Sequence, residues 1–282
     1  MTTTDRPIRL AISTCPNDTF AFHGLLAGAV DTGGLRFEVD FLDIEQLNER
    51  LLAGRYDVSK ASFRAALEVA DDLVVLPSGA ALGFGVGPLL LAAEAAAAVP
   101  RDRNQLTLLP GRHTTADLLF SLFHGDTTRV EQVVFSAIMP RLQARTADFG
   151  VCIHEGRFTW EAQGLHLVED LGVRWEAETG CPLPLGGIVA SRRLPPRTTA
   201  AVQRAIRDSL AFAMAHPQAA LPTMRAHAQE FDDAVLMRHV DLYVNGWTLD
   251  LGTQGSRALD ELSARAAAAG ITKGGRLEVF RG

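Results

Sequence analysis

Short strand-like runs that alternate with helical segments are the feature that most constrains the fold of this chain. An apolar run at 8–12 and a period-two run at 35–41 predict β-strands, and the apolar spacing at 43–54 predicts a helix after the second strand. The unbroken aliphatic run at 73–77 is typical of a strand buried on both faces. Alternation of this kind predicts an α/β fold with parallel, doubly wound sheets.

The length and the composition shifts predict two lobes. A chain of 282 residues lies near the size at which a single core stops growing. An alanine-rich and charged stretch at 92–103 indicates a boundary, and the proline-flanked run at 182–190 predicts a strand that returns to the first lobe. We expect a discontinuous first lobe, residues 1–91 and 191–282, and an inserted second lobe, residues 92–190, with a ligand bound in the cleft between them.

Charge and cysteine content exclude several classes of function. The net charge of -6 gives no basis for contact with phosphate backbones or anionic lipids, so we expect neither a nucleic-acid nor a membrane partner. Three scattered cysteines form no CxxC pair, and we expect no metal. The polar start, residues 1–7, does not resemble an export signal, so we expect a cytoplasmic protein. The sequence leaves the oligomeric state open.

Three polar loops are candidate ligand-binding segments, and the first two also have an ordinary structural explanation. The loop at 13–19 precedes a helix, where free backbone N–H groups can bind a carboxylate or a phosphate, or where Ser, Asn, Asp and Thr act as caps alone. Ser59, Lys60 and Ser62 follow a predicted strand and could bind an anion, or Lys60 could be an ordinary surface lysine. The loop at 111–115 again resembles a cradle for an anion or a polyol.

His154 is the candidate catalytic residue. The apolar run at 148–153 predicts a strand that ends at this histidine, and α/β proteins place their chemistry at strand ends. Imidazole is the side chain whose ordinary pKa lies near neutrality, which suits a base. A histidine that caps a strand through a neighbouring carbonyl is the alternative, and the residues by themselves leave both interpretations open.

Six motifs in order resemble one enzyme family over nearly the whole chain. They lie at 13–20, 59–62, 79–83, 110–116, 153–157 and 170–180. They resemble the 1,4-dihydroxy-6-naphthoate synthases of the futalosine route to menaquinone, although Thr14 stands where proline is expected. The resemblance implies a two-lobed fold like that of type II periplasmic binding proteins, with the second lobe inserted into the first. It also implies catalysis without a metal or an organic cofactor.

The resemblance further implies a lyase with a small carboxylated substrate. The family converts cyclic dehypoxanthine futalosine to 1,4-dihydroxy-6-naphthoate and dihydroxyacetone, and the match assigns the general base to His154. The residues that match or adjoin the substrate-contacting segments are Ser59, Lys60, Ala61, Thr114 and Thr115, with Asn17, Asp18 and Arg157 as further candidate contacts. The group that orients His154 is left open, and the adjacent Glu155 is not assigned that role.

Two other functions remain as alternatives. Chorismate dehydratase of the same pathway shares the fold, but the motifs at 15–20 and 154–157 disfavour it. A non-catalytic protein that binds a small carboxylate is the alternative from a different class, because a fold does not fix a function. The missing export signal disfavours such a binder.

Overall fold

Two mixed β-sheets, each flanked by helices, form the framework of the protein. The computed structural model describes residues 6–95, 97–154, 156–228 and 232–282. The first sheet has the strand order β2-β1-β3-β11-β4 with β5 paired to β11, and the second has the order β10-β6-β9-β7-β8. The strands are β1 Ile8–Ser13, β2 Phe37–Leu42, β3 Val58–Ser62, β4 Leu73–Val75, β5 Ala81–Gly83, β6 Leu89–Ala92, β7 Leu106–Leu109, β8 Arg129–Gln132, β9 Phe149–Cys152, β10 His166–Asp170 and β11 Leu183–Ser191.

Helices flank both sheets, and the C-terminal part of the chain is mostly helical. They are α1 Pro16–Ala21, α2 His23–Leu26, α3 Ile44–Leu52, α4 Phe63–Glu68, α5 Thr115–His124, α6 Ile138–Gln143, α7 Gly156–Thr159, α8 Leu171–Thr179, α9 Pro196–Ala215, α10 Leu221–His227, α11 Asp233–Tyr243, α12 Gly246–Leu249 and α13 Gly252–Ala268. Short 3₁₀ turns lie at Ala70–Asp72, Phe135–Ala137 and Pro217–Ala220. Among the described residues, no helix is both long and apolar enough to cross a membrane.

The predicted α/β class is confirmed, but the sheets are mixed and not wholly parallel. Strand β1 runs parallel to β2 and β3, whereas β11 runs antiparallel to β3, β4 and β5. In the second sheet β6 is antiparallel to both β9 and β10. Parallel neighbours need a long crossover, usually a helix, and β6 follows β5 after only the short segment 84–88. Strand β6 therefore enters the second sheet directly, without a helical crossover.

The chain passes between the sheets at 84–88 and again at 171–182. The two crossings touch each other through glycine backbone: a Cβ on Gly87 would lie 2.3 Å from the Cα of Gly172. Gly87 therefore lies where another stretch of backbone passes too close to leave room for a side chain. The lobe boundaries at 91/92 and 190/191 stay a prediction. In the structure, β6 belongs to the second sheet and β11 to the first.

The strand predicted at 182–190 does return to the first sheet, as β11, and helix α9 follows it. Helix α9 packs its apolar stripe, including Val202, Ile206 and Leu210, into the core of the first sheet. Helix α12 begins at Gly246, shortly after α11 ends at Tyr243. Asn245 makes a capping box with Thr248, which supplies partners for the backbone N–H groups of that short helix.

Candidate active site

A cleft between the two sheets collects most of the predicted site residues. It encloses about 690 Å³ of space, part of which is open to solvent. Its walls come from the loop after β1, strand β3, the start of α5, the end of β9 and helix α11. The predicted residues that line it are Asn17, Asp18, Lys60, Thr114, Thr115 and His154.

A buried ion pair forms one wall of the cleft. The Nζ of Lys60 lies 2.6 Å from Oδ1 of Asp18, and the two side chains are 5% and 3% exposed. Ser13 donates its hydroxyl to Oδ2 of Asp18 at 2.6 Å, and Asn17 donates its amide to Oδ1 at 3.0 Å. Burying two charges is unfavourable unless they are paired and hydrogen-bonded, and here both conditions are met. Lys60 is thus not the surface lysine of the alternative interpretation.

Strand alternation decides which residues of β3 reach the cleft. Successive side chains of a strand point to opposite faces, so Lys60 and Ser62 line the cleft together. Ser59 points the other way and donates its hydroxyl to the carbonyl of Lys60 at 2.7 Å. Ala61 is fully buried in the core. Neither Ser59 nor Ala61 lines the cleft.

Contacts between helix α3 and the loop before α5 join the two lobes beside the cleft. The buried Asn48 donates to Oγ of Ser62 at 3.1 Å and to the carbonyl of His113 at 3.1 Å. Glu45 accepts a hydrogen bond from the backbone N–H of His113 at 3.4 Å. Burial raises the pKa of the Glu45 carboxyl, which the nearby His113 partly offsets. These contacts hold the lobes together next to the site.

Thr114 and Thr115 sit at the N-terminus of α5. The hydroxyl of Thr114 accepts from the backbone N–H of Asp117 at 3.2 Å and donates to the carbonyl of Gly111 at 2.7 Å, so it caps the helix. Thr115 donates to the carbonyl of Leu185, in the first sheet, at 2.5 Å. Both residues line the cleft, where the first turn of α5 presents backbone N–H groups that have no partner within the helix.

His154 lies just beyond the end of β9 and lines the cleft from the second sheet. Its φ of 55° places it in the left-handed region, which costs a residue with a Cβ about 1 kcal/mol or more. Backbone strain of this kind clusters at functional sites. Its Nδ1 lies 3.5 Å from Sγ of Cys15, and the ring of Phe135 packs edge-on with 4.9 Å between centroids. Glu155 lies outside the described residues.

Arg157 lies next to the cleft but does not line it. Its guanidinium donates to the carbonyl of Gly87 at 2.5 Å and to the carboxylate of Asp170 at 2.8 Å. Asp170 in turn caps α8 by accepting from the N–H groups of Gly172 and Val173. Arg157 therefore ties the loop of His154 to both chain crossings.

His239 and Tyr243 line the cleft from α11, although neither is among the residues predicted from the sequence. They are four residues apart and so share one face of the helix, and their rings lie 4.6 Å apart. His239 is 4% exposed, and its ring stacks near that of His154 with 6.4 Å between centroids. Burial, with the nearby His154 and Lys60, lowers the pKa of His239 to about 3. The spacing of His239 and Tyr243 in the sequence indicates that they share one face of a helix, but not that this face lines the cleft.

No group of three or more His, Cys, Asp or Glu side chains within the described ranges is arranged to hold a metal ion.

Two mixed sheets with a cleft between them define the class of protein. The fold resembles that of a ligand-binding component of an ABC-type import system from Staphylococcus aureus, with TM-score 0.71, 12% identity and coverage of 97% of each chain. It is equally similar to an alkanesulfonate-binding protein from Xanthomonas axonopodis, with TM-score 0.71, 13% identity and coverage of 98% of each chain. The predicted fold like that of periplasmic binding proteins is thus confirmed.

The chain belongs to the menaquinone biosynthesis family, whose sequence model matches residues 8–268. It is 45% identical to a 1,4-dihydroxy-6-naphthoate synthase of Thermus thermophilus over 264 residues, 94% of this chain and 95% of the relative. It is 42% identical to the enzyme of that name from Streptomyces coelicolor over 269 residues, 94% of each. A crystal structure from Archaeoglobus fulgidus has TM-score 0.89 and 31% identity, covering 95% of this chain and 100% of the other.

These relatives confirm the resemblance read from the six motifs. The chain is an enzyme of menaquinone biosynthesis, and the lyase class agrees with the name that its relatives carry. The alternative of a non-catalytic binding protein is therefore set aside.

Proposed function

We propose that this enzyme cleaves cyclic dehypoxanthine futalosine to 1,4-dihydroxy-6-naphthoate and dihydroxyacetone, with His154 as the general base. The observation that carries the proposal is the placement of His154. It lines a cleft between the two sheets in a strained backbone conformation, opposite the buried Asp18–Lys60 pair. The names of the two curated relatives support the same product.

In the proposed reaction His154 accepts a proton from the substrate. The electron pair left behind forms a new double bond in the bicycle, which becomes aromatic. The three-carbon unit leaves with the electrons of the broken bond and takes up a proton to give dihydroxyacetone. A base in this role needs one ring nitrogen free for the substrate and the other held by a neighbour. The Sγ of Cys15, 3.5 Å from Nδ1, is the neighbour that the geometry offers, and Phe135 restricts the ring from its side.

The substrate-binding set in this proposal has two tiers. Asn17, Asp18, Lys60, Thr114 and Thr115 line the cleft, and we assign them direct contact with the substrate. The N–H groups in the first turn of α5 provide the site that favours its carboxylate. Ser59, Ala61 and Arg157 support the site without contacting the substrate. Ser59 and Ala61 fix the register of β3, and Arg157 holds the loop of His154 in place.

Replacing His154 by Asn tests the proposal. The Asn variant should fold and bind the substrate almost as the wild type does, while turnover falls by about 10²–10⁴-fold, the contribution of a positioned base. The exposed His166, replaced by Asn, is the matched control and should keep full turnover. Unchanged turnover in His154→Asn would refute the base assignment.

A parallel incubation with chorismate tests the substrate. Dehydration of chorismate by the wild-type enzyme, without cleavage of the futalosine derivative, would favour the dehydratase alternative. The cytoplasmic location and the absence of nucleic-acid, membrane and cofactor requirements belong to the same proposal. They follow from the composition and from the chemistry of the proposed reaction.

A further inference from the structure

His239 is a buried histidine in the wall of the cleft. Both ring nitrogens are buried, and neither has a hydrogen-bond partner among the described residues. A buried polar atom without a partner costs about 1–3 kcal/mol, and protein interiors rarely leave one. Because His239 also lines the cleft, a bound ligand would supply the missing partner.

The surroundings of His239 determine its charge. Its imidazole packs against the ring of Tyr243 on its own helix, faces His154 from the second sheet and lies within the field of the Lys60 ammonium. Burial, with the nearby His154 and Lys60, lowers its pKa to about 3, so the ring is uncharged at neutral pH. An uncharged imidazole offers one N–H donor and one nitrogen acceptor.

The chemistry of the partner follows from that charge. The ammonium of Lys60 is already matched by the carboxylate of Asp18 at 2.6 Å, so this corner of the cleft carries no surplus positive charge for an anion. A neutral donor and acceptor pair suits an uncharged oxygen, a hydroxyl or a carbonyl, better than a carboxylate.

We propose that His239 binds an uncharged hydroxyl or carbonyl oxygen of the substrate beside His154, and so positions the reacting carbon skeleton against the base. The inference rests on the function proposed above and adds a second histidine to its site. As an uncharged donor, His239 would bind an oxygen on which negative charge develops while the bond to the three-carbon unit breaks.

Two substitutions separate binding from packing. His239→Phe keeps a ring and removes both nitrogens, whereas His239→Gln keeps a donor and an acceptor. For the Phe variant we expect a fall of roughly ten- to hundredfold in kcat/KM, as for one lost hydrogen bond to the substrate. The Gln variant should recover a large part of that loss. A purely structural role predicts the reverse order, because Phe would fill the apolar surroundings better than Gln.

A second measurement does not depend on turnover. In protein labelled with ¹⁵N-histidine, addition of 1,4-dihydroxy-6-naphthoate should shift the ring nitrogens of His239 and leave those of the exposed His166 unchanged. Equal kcat/KM for wild type and His239→Phe, or an unshifted His239 signal at saturating product, would overturn the inference. If the wild type does not cleave the futalosine derivative at all, the proposed function fails first and this inference fails with it.

Discussion

The buried His239 makes the stability of the protein depend on pH in a way that can be calculated. Its pKa is about 3 in the folded protein and 6.5 when exposed. Above pH 6.5 this residue is uncharged in both the folded and the unfolded protein, so it does not lower the free energy of unfolding. As the pH falls below 6.5, His239 binds a proton in the unfolded chain but not in the folded protein. The free energy of unfolding therefore falls until the pH reaches the folded pKa.

The size of the effect follows from the two pKa values. Between pH 7 and pH 5, His239 should remove about 2 kcal/mol from the free energy of unfolding. Any folded pKa below about 4 gives nearly the same loss at pH 5, because the folded protein is then essentially unprotonated at this site. His239→Phe lacks the titrating group, so its stability should fall by about 2 kcal/mol less over the same interval.

Urea unfolding of the wild type and of His239→Phe at pH 7 and pH 5 measures this difference. The comparison uses the change with pH, so any packing effect of Phe that is present at both values cancels. His166→Gln, a change at an exposed histidine, is the control and should reproduce the wild-type loss. Parallel pH dependence in wild type and His239→Phe would refute the reasoning, because it would mean that His239 is protonated equally in both states.

Two further perturbations test the framework of the cleft. Asp18→Asn and Lys60→Met each leave one buried charge unpaired, and each should lower the free energy of unfolding by about 3–5 kcal/mol. The double variant should lose clearly less than the sum of the two single losses. Strictly additive losses in urea unfolding would argue against a coupled pair. Gly87→Ala places a Cβ against the backbone of Gly172 and should cost about 1–3 kcal/mol of unfolding free energy. A Cβ on Gly246 would meet none of the described residues within 4 Å, so Gly246→Ala should change that free energy by less than about 0.5 kcal/mol. Equal unfolding midpoints would contradict the close approach of the two crossings.

The location of His154 shows which features of the site a local sequence pattern can predict. An apolar run followed by a polar residue marks the end of a strand, and β9 does end at Cys152, two residues before the histidine. The same kind of signal places Thr114 at the cap of α5 and predicts β11 as a strand of the first sheet. None of these signals shows that His154 has a positive φ or lies beside Cys15, because both follow from how the two lobes meet.

The β3 segment shows where a motif match and the geometry differ. The resemblance points to the run from Ser59 to Ala61 as a unit, but a strand exposes alternate residues. Lys60 and Ser62 therefore line the cleft, while Ser59 and Ala61 support it from the other face. The period-two rule was available from the sequence, but which face meets the cleft was not.

The sequence by itself determined the α/β class, the polar loops that start helices, the strand that ends just before His154 and the family of the enzyme. These features depend on residues close together in the chain: periodicity, capping and motif order. Only the tertiary structure decided that Lys60 pairs with Asp18, 42 residues away, that β6 and β11 run antiparallel to their neighbours, and that His239 on α11 faces His154. Such contacts depend on which surfaces are buried against each other, and burial is a property of the whole fold.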